Sequence, residues 1–248
     1  MTLHLPGALL ITGANGGLGL QVVSDCLDAG VRNIACHFRS SCDAVSPVLA
    51  ARGLDPAKHL FQAELTDEAA VRSMGAAIQE RLGAVYGVIN MAGVAVNGLT
   101  WKISLADFRK NIDSSLVATF LVTREFLPGM REAGRGRIVN VSSILAHTGV
   151  PGAAPYCAAK AGIEAFTRAV AQEVASKGIT ANCLALGYFD KGIIAKVPPD
   201  LLETIKNRIP LKRLGSAKEI FPLMAYLLSP EAGFMTGQVL HLNGGQYP

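Results

Sequence analysis

Short apolar runs alternate along this chain with longer stretches in which apolar residues recur every three or four positions. The first pattern is that of buried strands and the second that of helices with one buried face. Strands are predicted at 8–12, 33–38, 59–63, 86–90, 137–142, 179–185 and 238–242. Helices are predicted from the turn after the first strand to about 29, over 67–82, 104–131 and 155–177, and in shorter pieces near 200–208 and 216–228. Strands that are apolar on both faces, each followed by a helix, predict an α/β fold: a doubly wound parallel sheet with helices on both faces. No linker or internal repeat interrupts the alternation, so residues 1–248 are expected to form one domain.

Composition adds limits rather than detail. Half of the 248 residues are hydrophobic and 26 are glycine, enough for one large core. A net charge of +4, with the basic residues dispersed, gives no footprint for nucleic acid. No apolar stretch reaches the roughly 18 residues of a membrane span, and the start has no basic region before an apolar one. The five cysteines have no paired metal-ligand spacing, and their odd number fits reduced thiols. A cytoplasmic protein with no metal site, membrane contact or nucleic-acid partner is the expectation.

The glycine-rich stretch Thr12-Gly13-Ala14-Asn15-Gly16-Gly17-Leu18-Gly19 lies between the first strand and the first helix. Glycines there let the backbone turn tightly and approach a pyrophosphate, while the helix start offers free N–H groups to the anion. In that position the stretch reads as a dinucleotide site. An acidic residue about 20 positions on would accept from a ribose 2′-hydroxyl. The segment 33–42 has none and carries Arg39 and Ser40 instead. A cation there suits a 2′-phosphate, hence NADP(H); a solvated surface arginine is the plainer alternative.

Tyr156 and Lys160 are four residues apart on a predicted helix, hence one turn apart on one face. A nearby ammonium favours a phenolate and lowers its pKa from about 10, which would make Tyr156 a usable general acid or base. Ser143, at the end of the fifth predicted strand, can bring a hydroxyl to the same place.

Taken in order, the motifs TGANGGLG at 12–19, NMAG at 90–93, Ser143, Tyr156-x-x-x-Lys160, Asn182, and Thr236-Gly237-Gln238 followed by Asn243-Gly244-Gly245 resemble those of the short-chain dehydrogenase/reductase family. The resemblance covers nearly the whole chain. It implies a Rossmann-type sheet of seven parallel strands. It also implies that Ser143 polarises a substrate carbonyl, that Tyr156 passes the proton, and that Lys160 holds the nicotinamide ribose and lowers the tyrosine pKa. Cofactor contacts are implied for Gly13, Asn15, Gly16, Gly17, Leu18, Gly19, Arg39, Ser40, Glu64, Leu65, Asn90, Ala92, Gly93, Tyr156, Lys160 and Gly187.

Three departures stand out. The family's catalytic asparagine in the long helix falls at Ser115, with Asn111 one turn too early. A serine there could still hold a water for proton relay. Leu186-Gly187 replaces the usual Pro-Gly, and Lys191 stands near the position of a threonine on the nicotinamide carboxamide. The region 187–213 is the expected substrate lid.

Within the family the chain is most similar to 3-oxoacyl-[acyl-carrier-protein] reductases, through HFRSS after the second strand, IPLKRLG at 209–215 and the C-terminal motif. This implies a 3-oxoacyl thioester substrate and a homotetramer. Arg131, Arg135, Arg137 and Lys177 could form a basic rim for an acidic acyl-carrier protein or a CoA phosphate; helix-end cations favoured by the dipole are the alternative. An NAD-linked hydroxyacyl-CoA or alcohol dehydrogenase, or an inactive cofactor-binding partner subunit, are the competing readings.

Overall fold

The computed structural model describes residues 2–192, 194 and 197–247. Seven parallel strands form one sheet in the order β3-β2-β1-β4-β5-β6-β7. They are β1 (Ala8–Ile11), β2 (Ile34–Phe38), β3 (Leu60–Gln62), β4 (Val85–Asn90), β5 (Gly136–Ser143), β6 (Ile179–Leu186) and β7 (Val239–Leu242). Every residue of β1, β5 and β6 is buried. These strands therefore read as continuous apolar runs rather than alternating ones. The order reverses between β1 and β4, and ligands of such sheets bind at the carboxyl ends of the strands at this switch point.

Two apolar cores flank the sheet. One joins Leu9, Ile11 and Leu184 to helix α1 (Gly17–Asp28) and to the later helix Ile220–Leu228. The other joins Leu10, Val88 and Ile138 to three helices: Glu68–Leu82, Ala118–Ala133 and Ala154–Val174. In chain order the remaining helices are α2 (Val45–Ala50), α3 (Pro56–His59), α4 (Glu68–Leu82), α5 (Leu105–Ile112), α6 (Ala118–Ala133), α7 (Leu145–Thr148), α8 (Ala154–Val174), α9 (Pro199–Arg208) and α10 (Ile220–Leu228).

Local chemistry sets several boundaries. Asp67 caps α4 by accepting from Ala69 N and Ala70 N, a cap worth about 1 kcal/mol. Ser104 caps α5 through Asp107 N. Gly134 ends α6 in the left-handed region, at φ 64°.

The helix expected over 104–131 is not uniform. Between α5 and α6 the chain widens into one π-helical segment, Asp113–Val117. The apolar pattern that identified the helix cannot separate a π-turn from α-helix, because both bury the same stripe. The short helices α2, α3 and α7 were not expected, since each has too few residues to establish a period. The expected lid, 187–213, includes positions 193, 195 and 196, which lie outside the described residues. No helix among the described residues is long and apolar enough to cross a membrane.

Candidate active site and cofactor cleft

The glycine turn and the segment after β4 are joined by one hydroxyl. Thr12 Oγ1 accepts from Met91 N at 3.0 Å and Ala92 N at 3.1 Å. This fixes the two walls of the switch point against each other. Gly13 has φ +70°, a conformation that favours glycine. A Cβ on Gly19 would lie 2.2 Å from Gly13 O, so only glycine lets α1 approach the turn. No side chain caps the start of α1, and its first turn has no acidic residue. Its free N–H groups and dipole suit an anion there, and a pyrophosphate fits this donor set.

The side chains implied as cofactor contacts divide into two groups. Arg39 and Ser40 are exposed beyond the end of β2, with the Arg39 guanidinium in none of the ion pairs among the described residues. Several others are committed elsewhere. Asn15 Oδ1 accepts from Ala44 N and Val45 N, both at 3.0 Å, and so holds the start of α2. Asn90 turns inward, donating to Asn140 Oδ1 at 2.9 Å and Thr123 Oγ1 at 3.2 Å. Asn140 passes the chain on to Thr167 Oγ1. Asn90 Oδ1 is buried without a partner. Glu64 folds its carboxylate onto Thr66, and Leu65 is buried in the core. A Cβ on Gly187 would lie 2.7 Å from Asn243 Cα, so this glycine packs against the C-terminal segment. Asn182 also ties strands to loops, through Met235 O and Gln238 N.

Lys191 departs from its expected neighbourhood. Its Nζ donates to Gln21 Oε1 on α1 at 2.6 Å. The adjoining Gly192 lies against the glycine turn, its N only 2.7 Å from where a Gly17 Cβ would be. The segment at Lys191 and Gly192 thus rests on the turn.

Tyr156 and Lys160 lie on successive turns of α8, and Ser143 ends β5. Lys160 is 5% exposed. Its Nζ donates to Val141 O at 2.7 Å and sits 5.6 Å from the centre of the Tyr156 ring. Burial pulls the Lys160 amine down to about 8. Burial pushes the Tyr156 phenol up to about 12, against the opposing pull of the Ser143 hydroxyl. This corrects the expectation that the lysine sets the tyrosine pKa. Desolvation is the largest cause of the rise, and the Lys160 amine, its own charge disfavoured by burial, is turned to the Val141 carbonyl.

Ser115 lies in the π-segment, fully buried, with no hydrogen-bond partner for its Oγ. A Cβ on Gly93 would come within 2.8 Å of that oxygen, so Gly93 leaves the hydroxyl room. π-turns interrupting α-helices occur frequently at functional sites. Asn111 is occupied elsewhere: its amide clamps the loop at Val96 in both directions, at 3.1 and 3.0 Å, and donates to Asp107 O.

Sequence patterns missed a second layer behind the triad. Ser143 Oγ accepts from Leu145 N at 3.2 Å, starting α7. His147 on α7 reaches the buried Glu164 carboxylate on α8 at 3.0 Å, and Ser142 Oγ donates to the same carboxylate at 2.7 Å. Glu164 is one turn beyond Lys160, so this pair ties the serine turn to the tyrosine helix.

The expected basic rim is also rearranged. Arg137 is buried, bonded to Ser229 O, Gly136 O and Gly178 O, and stacked on Tyr86. Arg131, Arg135 and Lys177 remain exposed. They gather at the Gly136 end of β5, whereas Ser143 ends that strand seven steps later. At about 3.3 Å per residue the separation is roughly 23 Å. The rim therefore does not border Ser143.

Comparison with known proteins agrees with this geometry. A family model described as Enoyl-(Acyl carrier protein) reductase matches residues 13–246. The chain belongs to the short-chain dehydrogenase/reductase family. An acetoacetyl-CoA reductase of Shinella zoogloeoides is 36% identical over 240 residues, covering 96% of this chain and 97% of that one. A 3-oxoacyl-[acyl-carrier-protein] reductase of Staphylococcus aureus is 32% identical over 241 residues, with 96% and 97% coverage. A protein named Nodulation protein G, from Rhizobium sp. (strain N33), is 36% identical over 236 residues and covers 95% of each chain. A crystal structure from Agrobacterium tumefaciens, provisionally named a gluconate dehydrogenase, superposes with TM-score 0.90 at 28% identity, covering 97% of this chain and 96% of its own. As a member of this family the chain is an oxidoreductase acting between carbonyl and hydroxyl groups with a nicotinamide cofactor.

Proposed function

We propose that this protein is an NADPH-dependent reductase that converts a 3-oxoacyl thioester to the 3-hydroxyacyl thioester. The observation that carries the reading is the convergence of Ser143, at the end of β5, with Tyr156 and the buried Lys160 on successive turns of α8, the lysine Nζ 5.6 Å from the centre of the tyrosine ring. A phenol and a hydroxyl brought to one place can protonate and polarise a carbonyl oxygen, which suits reduction of a carbonyl. The names of the relatives, acetoacetyl-CoA reductase and 3-oxoacyl-[acyl-carrier-protein] reductase, support a thioester substrate.

Bound NADPH would supply the hydride. The glycine turn 12–19 and the start of α1 would hold its pyrophosphate, and Arg39 with Ser40 its 2′-phosphate. Ser143 Oγ donates a hydrogen bond to the substrate carbonyl oxygen and draws charge onto it. Tyr156 Oη gives its proton to that oxygen as the carbon is reduced. Lys160, cationic at neutral pH, stabilises the phenolate left behind. Ser115, whose buried Oγ has no protein partner, would return a proton towards Lys160 through a bridging water. The exposed Trp101, Leu105, Phe108 and Phe120 on and beside α5 and α6 give a face for self-association, consistent with a homotetramer.

The test is oxidation of NADPH and of NADH by the purified protein with acetoacetyl-CoA and with an acetoacetyl-carrier-protein conjugate. Faster turnover of NADPH with either thioester supports the reading, and the better acceptor names the carrier. Preference for NADH, or no turnover of thioesters beside turnover of simple alcohols or sugar acids, would replace it.

A further inference from the structure

Beneath the glycine turn lies a histidine to which the mechanism above gives no role. His37, on β2, is 2% exposed, and both ring nitrogens are engaged. Gly13 N donates to His37 Nδ1 at 3.2 Å, and His37 Nε2 faces Ala63 O at 3.1 Å. The partners dictate the tautomer. A backbone N–H can only donate, so Nδ1 must carry a lone pair; a carbonyl can only accept, so Nε2 must carry the hydrogen. The ring is therefore neutral. The same residue grips the turn a second time through its backbone, because Ala14 N donates to His37 O at 2.9 Å.

We propose that His37 is a positioning residue for the cofactor pyrophosphate, clamping the glycine turn to the end of β3 only while its imidazole is neutral. An imidazolium has no lone pair on Nδ1 and turns a second donor towards Gly13 N–H. The bond becomes a repulsion between two donors, and the turn must shift at the residue whose φ of +70° already marks its sharpest bend. The two amides that follow belong to the same turn, so misplacing Gly13 misplaces the anion cradle.

The surroundings favour the neutral form. Burial holds His37 below the usual imidazole range, opposed by its bond to Ala63 and by the Glu64 carboxylate. Arg39 is exposed just past the end of β2, and the buried thiol of Cys36, pushed up to about 12, stays uncharged. The turn 12–16, β1 and β3 carry no titratable side chain. The sign follows: affinity for the cofactor is full above the His37 pKa and is lost as the pH falls through it.

The proposal rests on the glycine turn being the cofactor site. Its test is NADPH binding, with NADH in parallel, followed by nucleotide fluorescence from pH 8 to pH 5 for the wild type, His37→Asn and His37→Leu. Asparagine places an acceptor near the Nδ1 position but does not titrate. The wild-type Kd should rise about five- to tenfold over that range relative to His37→Asn, the effect of one hydrogen bond. The Kd of His37→Leu should be raised by about the same factor already at pH 8. Titration of the nucleotide phosphate and of Glu64 is common to all three proteins and cancels in the ratios. Parallel pH profiles for wild type and His37→Asn would overturn the proposal, as would ring nitrogen NMR showing a protonated Nδ1 in the free protein at pH 8. Failure of the wild type to bind either nucleotide at pH 8 would instead remove the cofactor reading, and the proposal with it.

Discussion

Lys160 should make the folded protein less stable near neutrality than it would be without the charge. Its amine falls from 10.5 to about 8 on burial. The difference of about 2.5 units corresponds to roughly 3 kcal/mol. Between the two values the folded chain holds fewer protons than the unfolded chain, so this residue makes stability rise with pH. Below about 8 the penalty is at its full size, and above 10.5 it has vanished. Lys160→Met removes the group, and with it the rise. The comparison is best made in a Tyr156→Phe background, because the phenol at about 12 begins to titrate at the upper end of the range. Unfolding free energies from urea titrations at pH 7, 8, 9 and 10 give the difference between the two proteins at each pH. All other groups cancel. That difference should move by about 2–3 kcal/mol in favour of the lysine protein between pH 7 and pH 10, or roughly 5–10 °C in Tm for a chain of this size. A difference flat to within about 0.5 kcal/mol would refute the claim that the ammonium is held desolvated, and with it the electrostatic account of the site.

Arg39→Asp should erase or reverse a preference for NADPH over NADH, read as the ratio of kcat/KM values, because it replaces the 2′-phosphate partner with a like charge; a wild type that favours NADH contradicts the assignment. Ser115→Ala should lower kcat by about tenfold or more while leaving the Kd for NADPH within about twofold, and equal losses in both would make Ser115 structural rather than part of the relay. Light scattering should give four times the 26.0 kDa chain mass at micromolar concentration, and Leu105→Glu with Phe108→Glu should lower it, whereas a 26.0 kDa particle in the wild type would end the tetramer proposal.

How much of this was legible in the sequence depended on how local each signal was. The glycine turn, the alternation of strand and helix and the Tyr156–Lys160 face follow from spacing alone, and the structure has them. Side-chain commitments did not follow, because they are made across long separations. Asn90 meets Asn140 and Thr123 across two strands and a helix, and His37 meets Gly13 and Ala63 only once β1, β2 and β3 are aligned. Arg137 looked like one more helix-end cation until folding buried it against Tyr86 and three carbonyls. The tyrosine pKa failed for a related reason. Spacing gave the neighbour, but burial, a tertiary property, decided the direction. The π-segment at Ser115 was hidden because α- and π-turns share one apolar pattern.

The most direct test of the central claim is a single-turnover experiment in which NADPH-loaded wild type and Tyr156→Phe are mixed with acetoacetyl-CoA at pH 7. The account predicts a rapid loss of NADPH absorbance with formation of 3-hydroxybutyryl-CoA in the wild type. In the mutant it predicts a rate at least about 100-fold lower with the NADPH Kd within a few-fold, since a positioned general acid contributes roughly 10²–10⁴. A mutant that keeps more than about a tenth of the wild-type rate would contradict it.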